Sequence, residues 1–164
     1  MPESCWRFSM DKLTEIPLAL SIKQPWVDLI LRRIKTIEVR EWRVRRIGAI
    51  LIHASKTIDW KSVELFGYHD VRSLPRGGLL AVTEILEVIE FTRESWLDLM
   101  PRHRVVHPPV REPLYGAVLG QIVPLRQRIP CSGKPIPFSV PSAIEERTRR
   151  ELVALGLLEC PEGG

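Results

Sequence analysis

The chain has 164 residues, 45% hydrophobic and 27% charged, with a formal net charge of +4, the profile of a soluble globular protein of one domain. A chain of this size buries roughly two thirds of its unfolded surface without disulfide staples, and its three cysteines, Cys5, Cys131 and Cys160, are an odd, widely spaced set that fits reduced thiols and forms no zinc pattern. No apolar run approaches the ~20 residues of a membrane span, and the opening MPESCWRFSMDK carries no basic-then-apolar leader, so a cytoplasmic protein with no membrane partner is expected.

Residues 1–14 lack periodicity and are expected to be a flexible tail, with one domain over 15–158 and a second tail at 159–164. Leu18 to Ile22 reads as a short buried strand. Gln24 then precedes Pro25, a residue tolerated at the first helical position. The apolar spacing of Trp26, Leu29, Ile30 and Ile34 predicts an amphipathic helix over QPWVDLILRR. Thr36 to Val39 is β-rich, and AILIHA, residues 49–54, is the clearest strand, followed by a loop and a helix in DWKSVELFG. Pro75-Arg-Gly-Gly is turn chemistry that opens the run LLAVTEILEVIEF. Alternation slips in that run near Glu84, which predicts a bulge of the kind that curves sheets.

A helix is expected from Arg93 to Met100, and the four prolines of PRHRVVHPPVREP predict a surface loop after it. His103 and His107 stand four apart, but prolines on both sides argue against a helix presenting them to a metal, and no cofactor is expected. YGAVLGQIVPL reads as one strand, PCSGKP as a turn and IPFSV as a last strand. SAIEERTRRELVAL reads as a helix with Ser142 as N-cap and Glu145 completing a capping box. The sum is an α+β fold, with five or six short strands in a small β-barrel or strongly curled mixed sheet and helices at its flanks.

Charge is concentrated between positions 32 and 46, where Arg32, Arg33, Lys35, Arg40, Arg43, Arg45 and Arg46 stand against Glu38 and Glu41. Two readings fit: a solvated helix end and loop, or an electrostatic footprint for phosphates. Arginine supplies most of the cluster, and its planar fork grips phosphate and stacks on bases, which points to nucleic acid. Trp26 is expected in the core, whereas Trp42, between a charged strand and a basic loop, is the better stacking platform. Strand alternation puts Glu38 and Arg40 on one face, with Lys35 reaching over the same space, and Ile37 and Val39 on the buried face. The plainer alternative is a surface ion-pair network. On this pattern Glu38→Ala should change stability by less than about 0.5 kcal/mol and Val39→Ala by about 1–3 kcal/mol.

The stretch LSIKQPWVDLILRRIKTIEVREW resembles the opening motif of the ASCH family, named for homology to the activating signal cointegrator, in which a QPW-type helix start precedes G-x-K-x-x-E-x-R. Lys35, Glu38 and Arg40 match the three charged positions, and Arg33 stands in place of the glycine, so a somewhat different helix exit is expected. ILIHASK, RGGLLAVTEILEVIE, YGAVL and IPCSGKPIPFSVP resemble later family segments, extending the similarity over residues 18–141. The resemblance implies a PUA-like barrel, a cleft between barrel and helices, and RNA or another nucleic acid as partner. It places Lys23, Gln24, Lys35, Glu38, Arg40, Trp42, Ser55 and Lys56 in that cleft, with Arg43, Arg45 and Arg46 of the basic stretch as further ligand contacts.

The same resemblance carries a catalytic alternative with Lys35 and Glu38 as catalytic residues. Some small bacterial ASCH proteins are amidohydrolases that deacylate the modified nucleoside N4-acetylcytidine, and they share the lysine at Lys35. They use a threonine nucleophile where this chain has Glu38, and a separate glutamate for which Glu94 is the one counterpart to offer. Nuclease activity is also associated with the family, so ribonuclease chemistry belongs to the same alternative.

Overall fold

The computed structural model describes residues 12–107 and 112–159. Six strands, β1 (Ala19–Gln24), β2 (Ile37–Arg40), β3 (Gly48–Ile58), β4 (Gly78–Glu90), β5 (Tyr115–Leu119) and β6 (Val123–Pro130), form one curled mixed sheet. Its order is β1-β3-β4-β5-β2, with β6 also on β4. The β1–β3 pair is parallel and the others are antiparallel. Helices α1 (Trp26–Leu31), α2 (Trp60–Leu65), α3 (Arg93–Asp98), α4 (Met100–His103) and α5 (Ser142–Ala154) flank this half-barrel.

Strand β4 organises the sheet because both of its edges are paired. One edge takes β3 from Gly78 to Ile85, while the other takes β6 over its first residues and β5 from Ile85 to Glu90. The β4–β5 register shifts between Ile85 and Glu87, where the slipped alternation predicts a bulge, and the bend lets one strand serve two partners on the same side. Both faces are covered. Ile50, Ile52 and Ile85 pack with Val27 and Ile30 of α1, whereas Leu51, Leu79 and Val82 pack with Leu152 of α5. Burial on two faces is why AILIHA reads as a continuous apolar run rather than an alternating one.

Several expectations need correction. Residues 100–103 form helix α4, with Pro101 in its first turn, because proline is tolerated where the backbone N–H has no partner in the helix anyway. His103 is fully buried there rather than looped out, its Nε2 bonded to the Trp96 carbonyl. YGAVLGQIVPL is two strands separated at Gly120, and IPFSV contributes only the isolated bridge Ala19–Phe138. Pro141, not Ser142, is the N-cap of α5, and no side-chain cap bond forms. Strand β3 runs four residues beyond Ala54 and takes in Ser55 and Lys56. Of the expected first tail, residues 1–11 lie outside the described residues, as do Cys5, Cys160, residues 161–164 and 108–111 of the proline-rich loop. Leu13 is described, and its N–H donates to the Leu157 carbonyl at 2.7 Å.

Gly116 marks a close crossing of β5 with β2. A Cβ there would stand 2.7 Å from Ile37 Cγ2 and 2.7 Å from Phe91 Cζ, so β2 can approach β5 only over a bare backbone. Gly116→Ala should destabilise the protein by about 1–3 kcal/mol through overpacking. Chemical denaturation measures this, and an unchanged midpoint would mean that β2 moves aside freely.

Candidate functional site

Helix α1 ends at Leu31, and the chain reverses through Arg33 at φ 61°. The N–H groups of Ile34 and Lys35 both donate to the Leu29 carbonyl, which closes the reversal. The exit therefore keeps the left-handed geometry that glycine favours, contrary to expectation, although a side chain there costs about 1–2 kcal/mol. The Arg33 guanidinium donates to the Gly120 carbonyl, a partial offset.

This reversal turns Lys35 inward. Only 2% of Lys35 is exposed, and its Nζ donates to the His103 carbonyl at 2.7 Å. It also lies 3.5 Å from Glu38 Oε2 and 4.8 Å from the centroid of the Trp26 ring. Burial pushes the Lys35 ammonium below its ordinary pKa, Glu38 opposes that shift, and Arg40 adds to it. Arg40 Nη2 lies 3.3 Å from Glu38 Oε1 and donates to the Ser21 carbonyl at 2.8 Å. The signature residues are thus one continuous polar chain, Lys35–Glu38–Arg40, ending on strand β1.

Two cavities of about 580 and 590 Å³ adjoin this chain and share Trp26 and Glu38 as a wall. Lys35, Val39, Asp59 and Leu65 contribute to the first. Lys23, Arg40, Lys56 and Lys134 bring four cations to the second, together with His53 and Ser55. Trp26 is half-buried between them, its Nε1 donating to Asp59 Oδ2 at 2.9 Å. It is therefore a cavity wall as well as a core contact, a correction to its expected place in the core. Hydrogen bonds from Trp26 and Ser62 and the positive charge of Lys23 outweigh burial and hold the Asp59 carboxyl below its ordinary pKa.

Of the expected site residues, Lys35, Glu38, Lys23, Arg40, Ser55 and Lys56 meet at these cavities. Gln24 is fully buried and does not line them: its Nε2 donates to the Pro75 carbonyl and its Oε1 accepts from the Asp28 N–H. Trp42 is half-buried against the core, beneath the Arg40 guanidinium at 5.7 Å. Arg43, Arg45 and Arg46 are exposed between β2 and β3 and line neither cavity, and Glu94 is exposed on α3, away from both. His107 lines the first cavity without His103, and the described residues hold no cluster of three or more His, Cys, Asp or Glu fit for a metal. Sequence reasoning missed Ser21, His53 and Lys134. A histidine inside the apolar run AILIHA was the available signal.

The alternation argument for Glu38 and Val39 fails. Glu38 is 7% exposed, whereas Val39 is only half-buried and lines the first cavity. Removing the carboxylate strands a buried ammonium, which costs about 3–5 kcal/mol. Glu38→Ala should therefore destabilise the protein by several times more than Val39→Ala, the reverse of the order expected from the strand pattern. Chemical denaturation of both variants measures the order. A loss below that of Val39→Ala would show that solvent reaches and rehydrates Lys35.

Comparison with known proteins agrees with this fold. The ASCH domain model matches residues 20–126, and no curated protein matches the chain. The crystal structure of ASCH from Zymomonas mobilis is similar in fold, with a TM-score of 0.56 at 14% identity, covering 87% of this chain and 98% of that one. Two mutant proteins of it give TM-scores of 0.58 at 13% identity, covering 85% of this chain and 97% and 99% of theirs. With the signature residues gathered at one site and the family model spanning most of the sheet, the chain belongs to the ASCH domain family.

Proposed function

We propose that the chain binds RNA or another single-stranded nucleic acid, taking one nucleotide into the paired cavities. The observation that carries this reading is the shared wall: an indole edged by a carboxylate, with a half-open, largely apolar space on one side and four cations on the other. A base needs a π-face and a few polar partners, which Trp26, Glu38 and Asp59 supply, and stacking contributes roughly 1–3 kcal/mol per base. A phosphate needs cations, and Lys23, Arg40, Lys56 and Lys134 supply them. Each volume falls within the roughly 300–1,000 Å³ of small-ligand sites. Arg43, Arg45 and Arg46 lie outside, where they meet the flanking backbone of a longer strand.

Replacing Lys23, Lys56 and Lys134 together with alanine should weaken RNA binding and flatten the slope of log affinity against log salt by roughly 0.7 for each phosphate that is no longer neutralised. Titration at several salt concentrations measures this. An unchanged slope in that variant, with a flattened one in an Arg43/Arg45/Arg46 triple variant, would place the binding surface on the loop instead of the cavity.

A second reading, hydrolysis of a modified nucleoside or of RNA, is favoured by one observation. Lys35 combines deep burial, a lowered pKa and a carboxylate at 3.5 Å beside a cavity, the arrangement that lets an amine exchange protons. Incubation with N4-acetylcytidine, and separately with labelled RNA, should give product that disappears in Lys35→Ala. Product formed equally by that variant, or none from either substrate, would remove Lys35 from catalysis.

A further inference from the structure

The cation-lined cavity contains a second set of polar contacts that the signature residues do not account for. Ser21 on β1 and His53 on β3 are direct partners in the sheet, and Ser21 Oγ lies 2.9 Å from His53 Nδ1. The other ring nitrogen, Nε2, lies 3.0 Å from the Cys131 carbonyl. A carbonyl only accepts, so Nε2 carries the hydrogen, Nδ1 offers its lone pair, and the Ser21 hydroxyl is the donor between them. Burial lowers the pKa of His53, which favours the neutral ring that this bonding requires. Phe138 packs edge-on against the imidazole at 5.6 Å and fixes its plane.

The surroundings match. After Cys131 the chain passes over the pair at Gly133, where a Cβ would stand 2.5 Å from His53 Cε1 and 2.6 Å from Ser21 Oγ. Ser21 and His53 line the same cavity as Lys23, Arg40, Lys56 and Lys134. Arg40 holds the Ser21 carbonyl through Nη2, and its buried Nε has no hydrogen-bond partner among the described residues. A hydroxyl donating to a neutral imidazole and an acceptor orienting that imidazole are the parts of an activated nucleophile, and the cations lining the same cavity suit an anionic substrate.

We propose that Ser21 is a nucleophile, with His53 as its general base, for phosphoryl transfer from a phosphate ester, the linkage class of a nucleic-acid backbone. The substrate assignment rests on the nucleic-acid reading above; the nucleophile itself does not. Ser21 Oγ attacks phosphorus and gives its proton to His53 Nδ1. As the new O–P bond forms, the bond from phosphorus to the leaving oxygen breaks, and that oxygen takes the proton from His53. Water then attacks the phosphoseryl ester, passing a proton to His53, which returns it to Ser21 Oγ as that oxygen departs. The net reaction is hydrolysis of one P–O ester bond. The cations hold the anionic ester and offset charge developing on its oxygens.

The test uses an alkyl fluorophosphonate, whose phosphorus is captured by an activated serine with loss of fluoride. Trypsin releases Ser21 in LTEIPLALSIK, residues 13–23, which contains no other serine, so mass spectrometry reads the site directly. The expected result is a label on that peptide that is absent in Ser21→Ala and formed roughly 10²–10⁴-fold more slowly in His53→Ala. Gly133→Ala, which changes no ionisable group, should block labelling as well, with circular dichroism checking the fold of each variant. Hydrolysis of bis(p-nitrophenyl) phosphate should follow the same order. No label on the folded protein, or equal labelling in a folded His53→Ala or Gly133→Ala, would reduce the Ser21–His53 contact to a structural hydrogen bond. RNA titration separates the two readings. Binding without labelling overturns the nucleophile alone, whereas labelling without RNA binding upholds it and overturns the nucleic-acid substrate.

Discussion

The site depends on one buried ammonium. Lys35 draws together α1 through the Trp26 ring, β2 through Glu38 and α4 through the His103 carbonyl. Removing a lysine from water is expensive unless its charge is paired and its donors are used. That requirement constrains each neighbour: the left-handed turn at Arg33 aims the side chain inward, β2 must present a carboxylate, and α4 must end with a carbonyl free to accept. The short helix that carries Pro101 is therefore part of the site's foundation, which explains why a segment with so little helical pattern is ordered at all.

Arg40 extends that constraint across the molecule. Because it contacts both Glu38 and the Ser21 carbonyl, the charge balance around Lys35 is mechanically joined to the strand carrying Ser21. Burial lowers the Lys35 pKa and Arg40 lowers it further, while Glu38 raises it. An anion entering the second cavity adds negative charge near Arg40 and weakens its repulsion of Lys35. In low dielectric such an effect is transmitted over a few ångströms with little screening. The two cavities are thus electrostatically coupled, as the proposed binding of one nucleotide across both of them requires.

The fold was legible where one constraint acted at a time. The bulge in β4 announced itself because alternation broke inside an otherwise regular run, and β3 because two covered faces demand unbroken apolar sequence. Glu38 and Val39 were misread because alternation presumes one wet face. β2 is an edge strand whose polar face is sealed by Lys35 and whose other neighbour, Val39, opens to a cavity. Pro101 disguised α4 because proline breaks a helix interior but suits its first turn. Of the site, the signature trio was marked by its resemblance to the family motif, since spacing alone left a surface ion-pair network equally open. The partnership of Ser21 and His53 could not be read from the sequence, since it depends on a parallel register between strands 32 residues apart. Gln24 shows the opposite failure: its place in the motif points to a ligand contact, whereas its amide ties the Asp28 N–H of α1 to the Pro75 carbonyl of the turn before β4.

Stability does not explain why an ion pair occupies the centre of this arrangement. A buried pair usually contributes no more than apolar residues of the same volume would, and such replacements often gain about 1–4 kcal/mol. Lys35 already lies among apolar neighbours such as Trp26 and Val39 that could close over a leucine or methionine. What an apolar pair could not do is hold Arg40 against Ser21, or present a carboxylate edge in the wall shared by both cavities. Under the proposed nucleic-acid reading, that edge accepts from base amino groups while Arg40 meets the phosphate. The ion pair then serves to keep two oppositely charged recognition groups a fixed distance apart, a task that requires burial because exposed side chains of this length would not hold one geometry.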